Sequence, residues 1–186
     1  MTETSKTLAD IRAIGAAEAL AHALELTHDS AARYAQLQAC LEAHHNQSAA
    51  AVLGRVVELT LATASSMPGL QPPEHLPQIA PWELVWRCPD LLAMGLGDSV
   101  PTDCNHQIGG ADLLRLVLRR ERCAHDCYAT AREQVVSPET YQMLSAIAAR
   151  QQEQIARLEA LLASAETDAS EAPPMLSDLD PPNRPE

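Results

Sequence analysis

Proline is unevenly distributed along this chain of 186 residues. Seven of the 13 prolines lie between Pro68 and Pro101, and five more lie from Pro173 onward. Because proline interrupts the interior of a helix, helices are expected in the proline-free stretches. The proline pattern predicts four helices, over residues 7–44, 48–66, 111–134 and 138–164, with Ser48 and Ser137 as N-caps and a connector at about 67–110.

Apolar side chains recur at helical spacing within each of the four stretches, so each stretch is predicted to form an amphipathic helix. Aromatic residues make up 3% of the chain and phenylalanine is absent. The core is therefore expected to consist of Leu, Ala, Val and Ile, which suits helices better than sheets. Two helical hairpins joined by a long proline-rich connector predict an all-α four-helix bundle.

The charge distribution separates the bundle from its C-terminal tail. The formal net charge is −12, and residues 165–186 hold six acids and one base together with many prolines. We predict a bundle domain over residues 1–164 and a disordered acidic tail over 165–186. The acid excess argues against nucleic acid and membranes as partners. No apolar run appears long enough for a membrane span, and no export signal precedes the bundle, so a cytoplasmic location is expected.

The five cysteines are Cys40, Cys88, Cys104, Cys123 and Cys127. An odd count without an export signal predicts reduced thiols. No C-x-x-C motif occurs, which excludes a rubredoxin-type site and a zinc ribbon. Cys123 and Cys127 lie one helical turn apart, and we expect two half-buried thiols rather than a redox pair or a soft-metal site.

The two predicted hairpins resemble each other. Thr27 aligns with Glu121, a small residue follows three positions later in both copies, and Tyr34 aligns with Tyr128 seven positions later. The second helices of the two hairpins also align. This pattern indicates a weak internal duplication of a helix pair.

This pattern resembles the rubrerythrin-like branch of the ferritin-like superfamily. In that family a helix with a Glu, and a Tyr seven residues later, pairs with a helix carrying E-x-x-H, and the motif occurs twice around a di-iron centre. Residues 79–86 (IAPWELVW) also resemble the connector of some bacterial members. The resemblance covers roughly residues 19–162, implies a ferritin-like bundle and leads us to expect a homodimer.

Most of the metal ligands that the resemblance implies are replaced. The corresponding positions hold Thr27, Thr60, Thr63, Glu121, Gln151 and Gln154. Only Glu121 is a family ligand, and threonine and glutamine are weak ligands for iron. A degraded di-iron site with no catalytic residue and no cofactor is therefore expected. Threonine can bond the carbonyl of its own helix and glutamine can bridge across the bundle, so the centre would suit a metal-free protein.

Two groups of residues were candidates to replace the lost ligands. Glu25 and His28 form an E-x-x-H on the first helix, but both point away from the position of Thr27. His125 follows Glu121 by four residues and would lie near the same interior. A Glu121–His125 pair is the alternative that leaves iron in the protein. The preferred interpretation is a Glu121 held by hydrogen bonds from Thr, Gln or His.

Three functions follow from this site. The preferred one is a non-enzymatic accessory or protein-interaction factor with an unidentified protein partner. The alternatives are a rubrerythrin-like oxidoreductase, which reduces peroxide or oxidises iron around Glu121, and a small-molecule binder in the bundle centre. Trp82 and Trp86 are predicted to plug the bundle end, with anchoring of a partner as the alternative. Arg119, Arg120 and Arg122 are predicted to form a solvated basic face or to pair with local acids.

Overall fold

The computed structural model describes residues 13–67, 76–79 and 107–171, with side chains as far as Thr167. Within these ranges the chain forms four α-helices and no strand. They are α1 (Ala16–Ala43), α2 (Gln47–Ser66), α3 (Gly110–Gln134) and α4 (Pro138–Glu171). The helices pack against one another as a bundle, so the predicted all-α class and four-helix arrangement are confirmed for the described residues.

Helix starts follow the capping chemistry of the sequence, with two corrections. Gly15 is extended and directly precedes α1, so the predicted start near Thr7 is too early for the residues described. Glycine favours this break because it loses more backbone conformational freedom than other residues when it enters a helix. The N-cap of α2 is Asn46, whose Oδ1 accepts from the Ala49 amide at 3.2 Å, and is not Ser48 as predicted.

Ser137 is the residue that caps α4, as predicted. Its carbonyl accepts from the amide of Tyr141 at 2.9 Å, and its hydroxyl lies 3.4 Å from the amide of Thr140. Pro138 then occupies the first helical position, where a missing N–H costs nothing.

The fourth helix continues seven residues beyond Ser164, where the tail was predicted to begin. Ala165 packs against an apolar cluster, and Glu166 forms an ion pair with Arg115 at 2.6 Å. The predicted boundary at 164/165 is therefore too early. Contacts with α3 stabilise additional turns at the end of α4, and composition alone does not indicate these contacts. Residues 172–186 of the predicted tail lie outside the described part of the chain.

Both hairpins of the bundle are antiparallel, and their first helices are antiparallel to each other. In the second hairpin, Arg115 meets Glu166 while Arg122 meets Glu159, so one helix descends as the other ascends. The starts of α2 and α3 lie at the same end, because Asn46 Nδ2 donates to the Ile108 carbonyl at 3.0 Å. Hence α2 and α3 run parallel, with the end of α2 and the start of α3 at opposite ends of the bundle.

The core has an apolar cluster towards each end and polar side chains between them. One cluster includes Leu20, Tyr128 and Ile147, and the other includes Leu53 and Leu118. Along every helix the buried polar residues of the bundle centre lie between the two clusters. The buried polar residues between the two clusters form the candidate site.

Two of the five cysteines behave differently from expectation. Cys40 and Cys123 are disulfide-bonded, whereas Cys127 is a thiol. The prediction of reduced thiols is therefore wrong for Cys40 and Cys123, because an odd count excludes complete pairing but not bonding of individual cysteines. Disulfides persist mainly in oxidising compartments, so these bonds give no support to a cytoplasmic location.

Of the helices described, α2 meets the criteria of length and composition for a membrane span. By these criteria the expectation that no apolar run is long enough for a membrane span fails for α2. The helix meets the limit on charged residues because it has only two, Arg55 and Glu58. Core helices of soluble proteins meet the same criteria. Trp82 and Trp86, predicted as a plug or partner anchor, lie outside the described residues.

Candidate functional site

A layer of buried polar side chains crosses the middle of the bundle, with two residues from each helix. We call it the polar layer, and it consists of Thr27, Ser30, Thr60, Thr63, Arg120, Glu121, Gln151 and Gln154. All six positions that the sequence comparison between hairpins singled out lie in this layer. The other two members are Ser30, which lies three residues after Thr27, and Arg120, which directly precedes Glu121.

The threonines of the first hairpin use their protons within their own helices. Thr27 Oγ1 donates to the carbonyl of Ala23 at 2.7 Å, and Thr60 Oγ1 donates to that of Val56 at 2.8 Å. Thr63 makes the same type of bond. A hydroxyl has one proton, so each threonine is left with acceptor capacity only. The predicted bonding of threonine to its own helix is therefore observed.

Glu121 is 4% exposed and has a protein donor on each carboxylate oxygen. The hydroxyl of Tyr34 donates to Oε1 at 2.5 Å, and Gln151 Nε2 donates to Oε2 at 2.5 Å. Burial raises the pKa of Glu121, while these hydrogen bonds and the charge of Arg120 act in the opposite direction. Gln151 bridges α4 to α3 as predicted, but the role of Tyr34 was missed.

Gln154 connects the fourth helix to the second. Its Nε2 donates to Thr60 Oγ1 at 3.1 Å, which makes it the second glutamine to bridge across the bundle. Gln154 is 1% exposed, and its Oε1 makes no hydrogen bond with the described residues. A buried amide oxygen of this kind is an acceptor available to a small donor.

Arg120 is 6% exposed, so a solvated face is wrong for this residue, whereas the alternative prediction of a local acid as partner is met by Asp29. Its Nη2 donates to Ser30 Oγ at 3.2 Å and lies 3.4 Å from Asp29 Oδ2. Its guanidinium also lies over the Tyr34 ring, 5.8 Å from the centroid. Neighbouring residues are about 100° apart on a helix, so Arg120 can reach α1 while Glu121 points to the centre.

The charges around the polar layer are balanced. Asp29 accepts from Arg33 at 2.8 Å as well as facing Arg120, and Arg120 in turn favours the charged form of Glu121. The pKa of Tyr34 is raised by burial and by Glu121, which keeps its phenol protonated and able to donate. A signal in the sequence existed for this network: a buried carboxylate requires a nearby cation, and Arg120 is adjacent to it.

The alternative metal ligands are not brought to the polar layer. His125 is partly exposed, and its Nδ1 lies 3.3 Å from Asp126 Oδ1, whereas both Glu121 oxygens bond to Tyr34 and Gln151. Glu25 and His28 are exposed, as predicted from their positions on the helix. Across residues 13–67, 76–79 and 107–171, no group of three His, Cys, Asp or Glu side chains is arranged to hold a metal ion.

The second bundle tyrosine, Tyr128, is also buried, and it packs in the apolar cluster next to the polar layer. Burial raises its pKa. A separate cavity of about 880 Å³ lies on the outside, between α3 and α4, and is lined by side chains that include Arg115, Leu118, Leu162 and Glu166. None of its lining residues belongs to the polar layer.

The chain was compared with protein-family models, with curated proteins and with solved structures, and none of the three comparisons gave a match.

Proposed function

We propose that this protein is a metal-free relative of the rubrerythrin-like proteins and acts as an accessory factor through protein contacts. The observation that carries the proposal is that each oxygen of Glu121 accepts from a protein donor, Tyr34 on one and Gln151 on the other. A carboxylate that ligates iron directs its lone pairs at the metal, and several such groups are required to offset the charge of two ions.

The residues at the other five positions support the same proposal. Each is neutral, and all five make a hydrogen bond that fixes the side chain without a metal: Thr27, Thr60 and Thr63 bond to helix carbonyls, and Gln151 bonds to Glu121. Gln154 bonds to Thr60. A ring of carboxylates without iron would repel itself, and the neutral side chains remove that cost.

The competing proposal is a rubrerythrin-like oxidoreductase with metal near Glu121. Metal analysis of protein expressed without added iron separates the two, together with an absorbance scan for an oxo-bridged di-iron centre. We expect no stoichiometric iron, no such band and no turnover of peroxide or ferrous iron. Stoichiometric iron with turnover would establish the oxidoreductase instead.

A positive test of the accessory role uses affinity capture with the full chain and with a chain ending at Glu171, where α4 ends. We expect the full chain to retain a partner in near-stoichiometric amount. The comparison of the two chains then measures how far this retention depends on residues 172–186. If neither chain retains a partner, the accessory role is wrong.

A second candidate function is supported by the unbonded Oε1 of Gln154. A small ligand in the bundle centre that donates a hydrogen bond would satisfy it. Native mass spectrometry of the wild type and of Gln154→Leu tests this. We expect neither protein to carry additional bound mass, and an adduct that is present in the wild type and lost in Gln154→Leu would favour the small-molecule binder.

A further inference from the structure

The outward side of α2 carries six exposed residues in one line, which we call the α2 stripe. They are Ser48, Ala51, Arg55, Glu58, Ala62 and Ser65. Their spacing alternates regularly between three and four residues, as in the contact seam of two-helix coiled coils. The small residues in this line would allow a second helix to approach closely.

The α2 stripe is symmetric about the point between Val56 and Val57. Reading outward from that point, Arg55 corresponds to Glu58, Ala51 to Ala62 and Ser48 to Ser65. When two identical helices pack antiparallel about a twofold axis, each position meets its counterpart on the other copy. Alanine then faces alanine, serine faces serine, and arginine faces glutamate on both sides of the axis.

We propose that the α2 stripe is the surface through which two copies of this chain form an antiparallel, twofold-symmetric dimer. This dimer rests on the proposed function in one respect, because both assume that the protein acts through protein contacts. The partner is a second copy, and the contact is α2 against α2.

Charge is the feature that selects a second copy in this orientation. Arg55 and Glu58 are the only charged residues of α2, and neither makes an ion pair with the described residues. Elsewhere on the surface, Arg115 and Arg122 each have an acidic partner. The antiparallel pairing provides Arg55 and Glu58 with partners, whereas parallel pairing would place each charge against its own kind.

The flanks of the α2 stripe are apolar. Leu61, on one flank, is 43% exposed, and Val52, on the other flank, is half-buried in the single chain. Fewer than half of the residues in the apolar window of α2 are buried within the bundle. Dimerisation would therefore remove exposed apolar surface from water, which favours association.

Sedimentation equilibrium over a concentration series tests the proposal with charge-reversed chains. The variants are Glu58→Arg, Arg55→Glu and the double exchange. The matched control is Glu153→Arg on α4, which lies three residues from Arg150 on an exposed face and thus has the same spacing as the pair on α2. Circular dichroism verifies that each variant keeps the wild-type helix content.

We expect a wild-type dimer, with a dissociation constant raised by about tenfold or more in each single variant, because like charges then face each other. The double exchange should restore dimerisation, and a mixture of the two single variants should form a heterodimer. The control variant should dimerise like the wild type.

A monomeric wild type would overturn the inference, and so would single variants that dimerise as tightly as the wild type. Flotation with phosphatidylcholine vesicles supplies a further arm: a wild type that binds vesicles in place of dimerising would assign the α2 stripe to a lipid surface. Metal content is measured on the same samples. A dimer that contains iron would disprove the proposed function and leave the dimer surface standing.

Discussion

The two hairpins contribute to the polar layer in different ways. In the first hairpin, Thr27 and Thr63 bond to carbonyls one turn earlier in their own helices. In the second, Glu121 and Gln154 have their hydrogen-bond partners on other helices. The threonine donors of the first hairpin are satisfied as soon as each helix forms, but the side chains of Glu121 and Gln154 find their partners only in the assembled bundle.

This difference indicates where the stability of the centre resides. A buried polar group that depends on tertiary contacts leaves several groups unsatisfied when it is removed, whereas one bonded to its own helix leaves a single carbonyl. The effects of substitutions should therefore be large in the second hairpin and small in the first.

Replacing Glu121 with alanine should have the largest effect. Tyr34 and Gln151 would lose their acceptor at once, Arg120 would lose a neighbouring negative charge, and each buried donor left unsatisfied costs about 1–3 kcal/mol. Urea denaturation gives the free energy of unfolding. The control is Glu153→Ala on the exposed face of α4, which should leave that free energy almost unchanged. Equal effects at the two sites would refute the importance of the buried network.

Removal of the Tyr34 hydroxyl should have an intermediate effect. Tyr34→Phe keeps the ring beneath Arg120 but takes away one of the two donors to the Glu121 carboxylate. A hydrogen bond to a charged group contributes about 1.5–3 kcal/mol, and the loss should be of that order. Tyr141→Phe serves as the control, since Tyr141 is half exposed. If both variants unfold alike, the Tyr34–Glu121 bond contributes no stability.

The pH dependence of stability should identify Glu121 as a carboxyl that folding makes harder to ionise. Burial raises its pKa above the ordinary value of 4.5. Its contribution is then fully present below 4.5 and is lost as the pH rises through the folded-state pKa. The free energy of unfolding of the wild type, relative to that of Glu121→Gln, should decrease over this range. A constant difference between the two proteins would contradict the assigned shift.

The smallest effects are expected for the threonines, and a pair of identical substitutions compares them. Thr60 accepts from Gln154 in addition to bonding its own helix, whereas the one bond that Thr27 makes as donor is to Ala23. Thr60→Val should therefore destabilise the protein by about 1 kcal/mol more than Thr27→Val. Thermal unfolding monitored by circular dichroism would resolve the difference, and the reverse order would be incompatible with the bridging role of Gln154.

The fold could be predicted because its determinants are local. Prolines delimit the helices, and the apolar spacing within each helix selects the buried face, so four helices and Ser137 as a cap were evident from the sequence. The choice of Asn46 over Ser48 as a cap depends on the turn geometry before α2. The extension of α4 to Glu171 depends on Glu166 meeting Arg115, which is a tertiary contact.

Only part of the site could be predicted, because some of its contacts depend on tertiary packing rather than on local sequence. The six inward positions followed from helical register, and the tendencies of threonine and glutamine followed from their donors and acceptors. The bond from Tyr34 to Glu121 joins residues 87 positions apart and depends on how the two hairpins pack. The burial of Arg120 likewise depends on Asp29 and Ser30 facing it from another hairpin.

We propose that the protein's own donors occupy the place of a metal in the bundle centre. The most direct test of this proposal is the iron bound per chain after anaerobic incubation with ferrous iron and removal of the excess. A five-substituted chain serves as the comparison, with Thr27→Glu, Thr60→Glu, Thr63→His, Gln151→Glu and Gln154→His restoring the ligands that the resemblance implies. We predict no retained iron in the wild type and retained iron in the restored chain. Stoichiometric iron in the wild type would contradict the account.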